Sequence, residues 1–119
     1  MGNAFICKMS ALVKRCLPEL QRIKRQSAKR HKHYFEHCDG DIIRCCCEIA
    51  RNIINECIPL NSRQLKLIRR HGKNVKLLAV KKTALKKKRK ILQTGGFIGA
   101  ILGPAIGFLS SLLLGNAGR

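Results

Sequence analysis

Cysteine and histidine crowd the first half of the chain: Cys45, Cys46 and Cys47 are consecutive, and Cys38, Cys57, His31, His33 and His37 lie nearby. Such side chains can ligate zinc, and zinc sites show paired Cys-x-x-Cys or His-x-x-x-His turns that converge from two elements. Three adjacent residues of a helix point about 100° apart and cannot all face one ion. Cysteine as a small apolar core residue is the better reading, so no metal and no cofactor is expected. Catalysis has less support still. The six acids are scattered as helix caps and surface partners, among them Glu19, Asp41, Glu48 and Glu56, with no pair at an acid/base spacing. A Cys/His pair without a family signature does not define a nucleophile. The chain is not expected to be an enzyme.

The chemistry that the sequence does carry is electrostatic. The formal net charge is +19 over 119 residues, and it is unevenly placed. Residues 1–60 hold 11 Lys or Arg and all 6 acids, a net of +5, whereas residues 61–92 hold 13 Lys or Arg and no acid. From Gln93 to Gly118 no side chain is charged. A one-sided field of this density attracts nucleic acid or anionic membrane. The candidate nucleic-acid-binding residues are Arg63, Lys66, Arg69, Arg70, Lys73, Lys76, Lys81, Lys82, Lys86, Lys87, Lys88, Arg89 and Lys90. No aromatic residue lies between Asn61 and Gly96, so unpaired bases have no platform on which to stack. Nor does one helix carry a base-reading Asn/Gln/Arg pattern. The expected mode is neutralisation of phosphates on double-stranded DNA without sequence reading. Lys86–Lys90 also resembles a short nuclear-import signal, which needs an exposed, extended basic run. Five consecutive cations wrap a whole helix circumference and suit condensation, or an import receptor, better than packing.

The uncharged tail from Gly95 to Gly115 spans 21 residues, enough for a bilayer core of about 30 Å. Gly95, Gly99, Gly103 and Gly107 recur every four residues, and Ser111 and Gly115 continue the series. On a helix this makes one smooth ridge, the small-residue device by which membrane helices approach closely. In water that many glycines, with Pro104, weaken a helix. Together with Phe97 and Phe108 the tail is expected to be membrane-active, to bind its own copies, or both. A buried core helix is the alternative. Pro104 argues against a stiff span and leaves interfacial insertion open.

The elements that must position these residues read as helices throughout. Leu17-Pro18-Glu19 has the form of a helix start, with Pro at the first position and an acid in the first turn. A short helix over Ala28–Cys38 ends at the break Asp39-Gly40. Asp41 can cap a third helix, whose apolar positions Ile42, Cys46, Ile49, Ile53 and Cys57 follow helical spacing until Pro59 ends it. Asn61 or Ser62 caps a helix running to His71, which Gly72 stops in a left-handed conformation. Another turn or two follows over Val75–Val80, and Thr83 can cap a last basic helix ending at Thr94. No strand alternation and no internal repeat is present. The expected fold is all-α: a small helical bundle over residues 10–80, then a polybasic helix and a Gly-rich hydrophobic C-terminal helix, with mobile ends. The regions are 1–60, an N-terminal helical region; 61–94, a polybasic DNA-binding region; and 95–119, the hydrophobic tail.

No positively charged stretch precedes an apolar run at MGNAFICKMSALVK, so a signal peptide is not expected. The seven cysteines then read as thiols of a reducing compartment. Ile6 occupies the place where a myristoylation signal on Gly2 needs Ser or Thr.

Taken in order, Lys86–Lys90, Gly95-Gly96-Phe97 and the apolar Gly/Pro/Ala tail resemble the adenovirus protein X family, the precursors of the mu core protein. They resemble still more its relatives in adintoviruses and Polinton-type elements. The resemblance covers about residues 81–114, with the helical part from Leu17 to Leu78 fitting the longer Polinton-type relatives less specifically. It implies a virion core protein that packs double-stranded DNA and is delivered to the host nucleus, with a nuclear-import receptor as partner. It also implies processing after Gly96 by a viral cysteine protease. Gln93, however, stands where that protease prefers an apolar residue, and an uncut chain keeps basic patch and tail linked. The competing expectation is a tail-anchored or interfacial protein of an intracellular membrane, with a basic cytosolic face.

Overall fold

The computed structural model describes the backbone of residues 10–94 and 96–118, and side chains as far as residue 108. Seven helices and no strand occur among the described residues: α1 (Ala11–Lys24), α2 (Ala28–His37), α3 (Gly40–Ile54), α4 (Ser62–Arg70), α5 (Gly72–Ala79), α6 (Leu85–Leu92) and α7 (Phe97–Gly118). The chain is all-α.

Local chemistry sets most of the helix ends. Ser10, Ser27 and Asp39 cap α1, α2 and α3, each accepting hydrogen bonds from first-turn amides. Asn61 and Gln64 form a reciprocal capping box on α4. At the end of α3, Glu56 takes φ 60°, while Cys57 N–H donates to Asn52 O (2.8 Å) and Glu56 N–H to Ile53 O (3.1 Å). Those two bonds are the Schellman arrangement, here closed by Glu in the position that glycine normally fills.

Several ends differ from the sequence expectations. α1 begins at Ala11, and Pro18 lies inside it on the exposed side. The reason is packing: Val13, Leu17, Leu20 and Ile23 form one buried stripe that outweighs the amide lost at Pro18. Asp39, not Asp41, caps α3, and Asp41 occupies the first turn instead, pairing with Arg15 and Arg44. That helix stops at Ile54, before Pro59 is reached. Gly72 does not take the left-handed conformation. It opens α5, and α4 and α5 meet at His71. Ala84, with no side-chain cap, precedes α6, so Thr83 does not cap it. The expectation of a mobile N-terminal end falls outside the described residues.

The core is shared by all three regions. α3 packs on α1, α5, α6 and α7, and its contact with α5 is the most extensive between any two helices. α7 packs in turn on α1, α3, α4 and α6, while α2 lies against α6. Cys45, Cys46 and Cys47 are all buried, as expected of apolar residues. Burial pushes the Cys45 and Cys46 thiols above their ordinary range, so they persist as neutral packing groups. Polar contacts fix the corners. Tyr34 Oη donates to Glu19 Oε2 (2.9 Å), the His31 ring contacts Ile23 O through Nε2 (2.6 Å), and Ser10 N–H donates to Glu48 Oε2 (2.8 Å). The acids of the N-terminal half thus stitch helices together.

The bundle expected to close near residue 80 extends much further. Phe97, Ile98, Ala100, Ile101, Leu102, Ala105 and Ile106 are all buried, as is Pro104. Each fully buried aliphatic or aromatic side chain contributes about 1.5–3 kcal/mol. That sum exceeds the cost of Gly99, Gly103 and Gly107, about 1 kcal/mol each relative to Ala. The alternative reading of the tail, a core helix, therefore describes residues 97–106.

Candidate nucleic-acid interface

The cations of residues 61–92 are distributed over α4, α5, α6 and the α5–α6 connection. On α4, Arg63, Lys66, Arg69 and Arg70 fall on one face, about 120° wide by helical geometry, opposite buried Ile68. All four are exposed. Lys73 and Lys76 repeat the arrangement on α5, opposite Val75 and Leu78, and Lys81 and Lys82 stand exposed after it.

α6 behaves differently. Ile91 and Leu92 face the core, and Lys88 precedes them by three and four residues, so it shares their face. Lys88 is 8% exposed. It borders a shallow cleft of about 280 Å³ that Leu12, Cys47 and Glu48 line together with Arg44, Arg51 and Lys81. Arg89 is half-buried and committed elsewhere: Nη1 donates to Cys38 O (2.8 Å) and Phe35 O (3.2 Å), closing the last turn of α2. The same nitrogen lies 3.7 Å from Cys38 Sγ. Burial pushes the Cys38 thiol up, against the opposing pull of Arg89. Lys86, Lys87 and Lys90 are exposed on the outer face. The five-cation run is thus helical, packed and divided, not the extended and fully exposed ribbon that the sequence suggested.

Eleven of the thirteen sequence candidates face solvent: all except Lys88 and Arg89. Every ion pair among the described residues lies within the first half of the chain, and none involves these eleven. Five of the six acids are engaged as caps, ion pairs or corner contacts; Glu56 is exposed and borders the same cleft as Arg69 of α4, so one acid lies beside the basic surface without pairing with it. Arg51, outside the candidate set, closes α5 as Arg89 closes α2, donating to Ala79 O at 3.4 Å.

The tail residues divide by face. Phe97 and Pro104 are buried and Phe108 is half-buried against the core, while Gly99 and Gly107 are exposed and Gly103 partly so. Over residues 97–107 the glycine line is therefore the solvent-facing stripe of an otherwise buried segment. A Cβ built on Gly99, Gly103 or Gly107 meets no atom within 4 Å, so among the described residues no other element packs against that ridge. Among the described residues no single helix is long and apolar enough to cross a membrane. Leu85–Leu92 and Phe97–Phe108 together reach the required apolar length, but they meet at a bend of 89°. Gly96, at φ +79°, forms that corner. Gly95 lies outside the described residues. The Gly96–Phe97 bond has Phe97 N–H donating to Thr94 O (3.2 Å) and Gly96 O accepting from Ala100 N–H (3.2 Å). It is held in a turn against the core.

No protein-family model, curated protein or solved structure matches this chain.

Proposed function

We propose that this protein binds and condenses double-stranded DNA without reading its sequence, in the manner of a virion core protein acting in the host nucleus. The observation that carries the reading is the set of eleven solvent-facing cations on α4, α5, α6 and their connection, none paired with an acid among the described residues. Phosphates are the natural counter-charge for such a surface, and the lack of aromatic platforms favours duplex over single strands. Nuclear delivery would use the exposed Lys86, Lys87 and Lys90, and an import receptor that needs an extended segment would have to unwind α6. Cleavage after Gly96 belongs to the same reading and requires the α6–α7 turn to open, because Phe97 is buried.

Duplex binding measured across a salt series tests the proposal. If about half of the cations touch phosphates, log affinity should fall against log salt with a slope of about −5 to −6. Duplexes of unrelated sequence should bind within a few-fold of one another. A slope near −1, or strong preference for one duplex, would overturn it.

A further inference from the structure

The last turns of α2 place three metal-binding groups on one exposed edge of the molecule. His33, Glu36 and His37 occupy positions i, i+3 and i+4, so helical geometry puts them on one face. One donor atom from each lies within 4.8 Å of the other two. The His33 and His37 rings stand edge to face with centroids 5.6 Å apart, and His33 Nδ1 is 3.8 Å from Glu36 Oε1. Ligands about 2.1 Å from a shared ion lie roughly 3–3.4 Å from one another. Exposed side chains cover the remaining gap by small rotations about their own bonds, with no backbone movement.

We propose that His33, Glu36 and His37 form a binding site for a first-row transition ion, with Zn²⁺ as its ordinary occupant. Two imidazoles and one carboxylate are the donor set that suits zinc, copper or nickel, whereas magnesium and calcium require oxygen ligands. The electrostatic setting sharpens that choice. Lys29, Arg30 and Lys32 lie on the same helix, so a cation held only by charge is repelled, and only one forming strong bonds to nitrogen is retained. Three ligands from one element leave coordination positions open to water, which makes this a surface site and not a structural centre. Among the described residues no cysteine belongs to the set: the Cys38 thiol borders the same cleft as both imidazoles, but Arg89 Nη1 contacts it at 3.7 Å.

The consequence is local. The same turn presents Phe35 O and Cys38 O to Arg89, so an ion bridging His33 to His37 rigidifies the seat on which the polybasic helix rests. This site is independent of the DNA-binding reading, and its test does not use DNA.

The untagged, metal-free full chain is titrated with ZnCl₂ by calorimetry under reducing conditions, with MgCl₂ as control, and with CoCl₂ to read ligand type from the visible spectrum. One Zn²⁺ per chain should bind and raise the melting temperature, and Mg²⁺ should do neither. His33→Ala with His37→Ala should abolish both effects while circular dichroism stays helical. Glu36→Gln should weaken affinity on the order of tenfold, and Cys38→Ser should leave it unchanged. The Co²⁺ complex should lack the near-ultraviolet charge-transfer band of a thiolate ligand. Absence of Zn²⁺ binding, binding that survives the double histidine change, or a thiolate band would each overturn the site.

Discussion

Helices α4 and α6 are both short, polybasic and free of acids, yet they use their cations differently. All four cations of α4 face water, because Ile68 is buried with Leu67 packed against the core, and the charges occupy the side opposite Ile68. In α6 the pair Ile91–Leu92 fixes the register, and that register carries Lys88 into the protein and swings Arg89 onto the end of α2. The denser run in sequence therefore yields the sparser run on the surface. Counting charges along a chain measures attraction to polyanions only after the helical phase has removed those that the fold itself employs.

The largest effect that could break this contrast is on DNA. Changing Arg63, Lys66, Arg69 and Arg70 together to Gln should make the salt slope shallower by about 3 to 4, and weaken binding on the order of a hundredfold or more at moderate salt. The melting temperature should hardly move. Equal loss from Lys88→Gln alone would show that the buried lysine is not buried when DNA is bound.

Arg89 provides the opposite signature. Arg89→Gln removes charge-assisted hydrogen bonds to two half-buried carbonyls, each worth about 1.5–3 kcal/mol. Urea titration should show a loss of about 2–3 kcal/mol, against less than about 0.5 kcal/mol for exposed Lys86→Gln. If the two changes cost the same, the division within α6 is wrong.

Lys88→Met tests the same helix from inside. Methionine keeps the length of the stem and removes an ammonium from a buried residue that makes no ion pair among the described residues. Stability should be unchanged or higher by about 1 kcal/mol, and duplex affinity should be unaltered within error. A loss of more than about 1 kcal/mol would mean that the ammonium makes an essential contact.

α7 ends the series, since its outward stripe is glycine where α4 has arginine and lysine. Gly99→Lys puts a side chain into open space and a better helix former into a helix. It should stabilise the chain by about 0.5–1 kcal/mol and steepen the salt slope by about 1 if the new cation reaches phosphate. Should the ridge instead be where copies of this chain or lipids attach, the same change would dissociate oligomers in sedimentation or abolish vesicle binding, with no gain in melting temperature.

The sequence by itself determined the helical class, Cys45–Cys47 as packing groups, the span of α2 and a cap at Asn61 or Ser62, because each follows from helical period or capping chemistry within a few residues, and eleven of its thirteen candidate cations do face outward. Lys88 was also legible in principle, standing three and four residues before Ile91 and Leu92, but five cations in a row concealed the phase. Tertiary structure alone decided the rest. Pro18 sits within α1 because the Val13–Ile23 stripe had a core to enter, and Gly72 carries on because α5 packs on α3. The tail looked unlike a core helix because its outward line is glycine, which leaves no polar face to reveal amphipathic periodicity. Whether such a helix turns to lipid or to protein depends on the apolar surface available to it. Here α1, α3, α4 and α6 supply that surface, and Phe97 to Ile106 fill it.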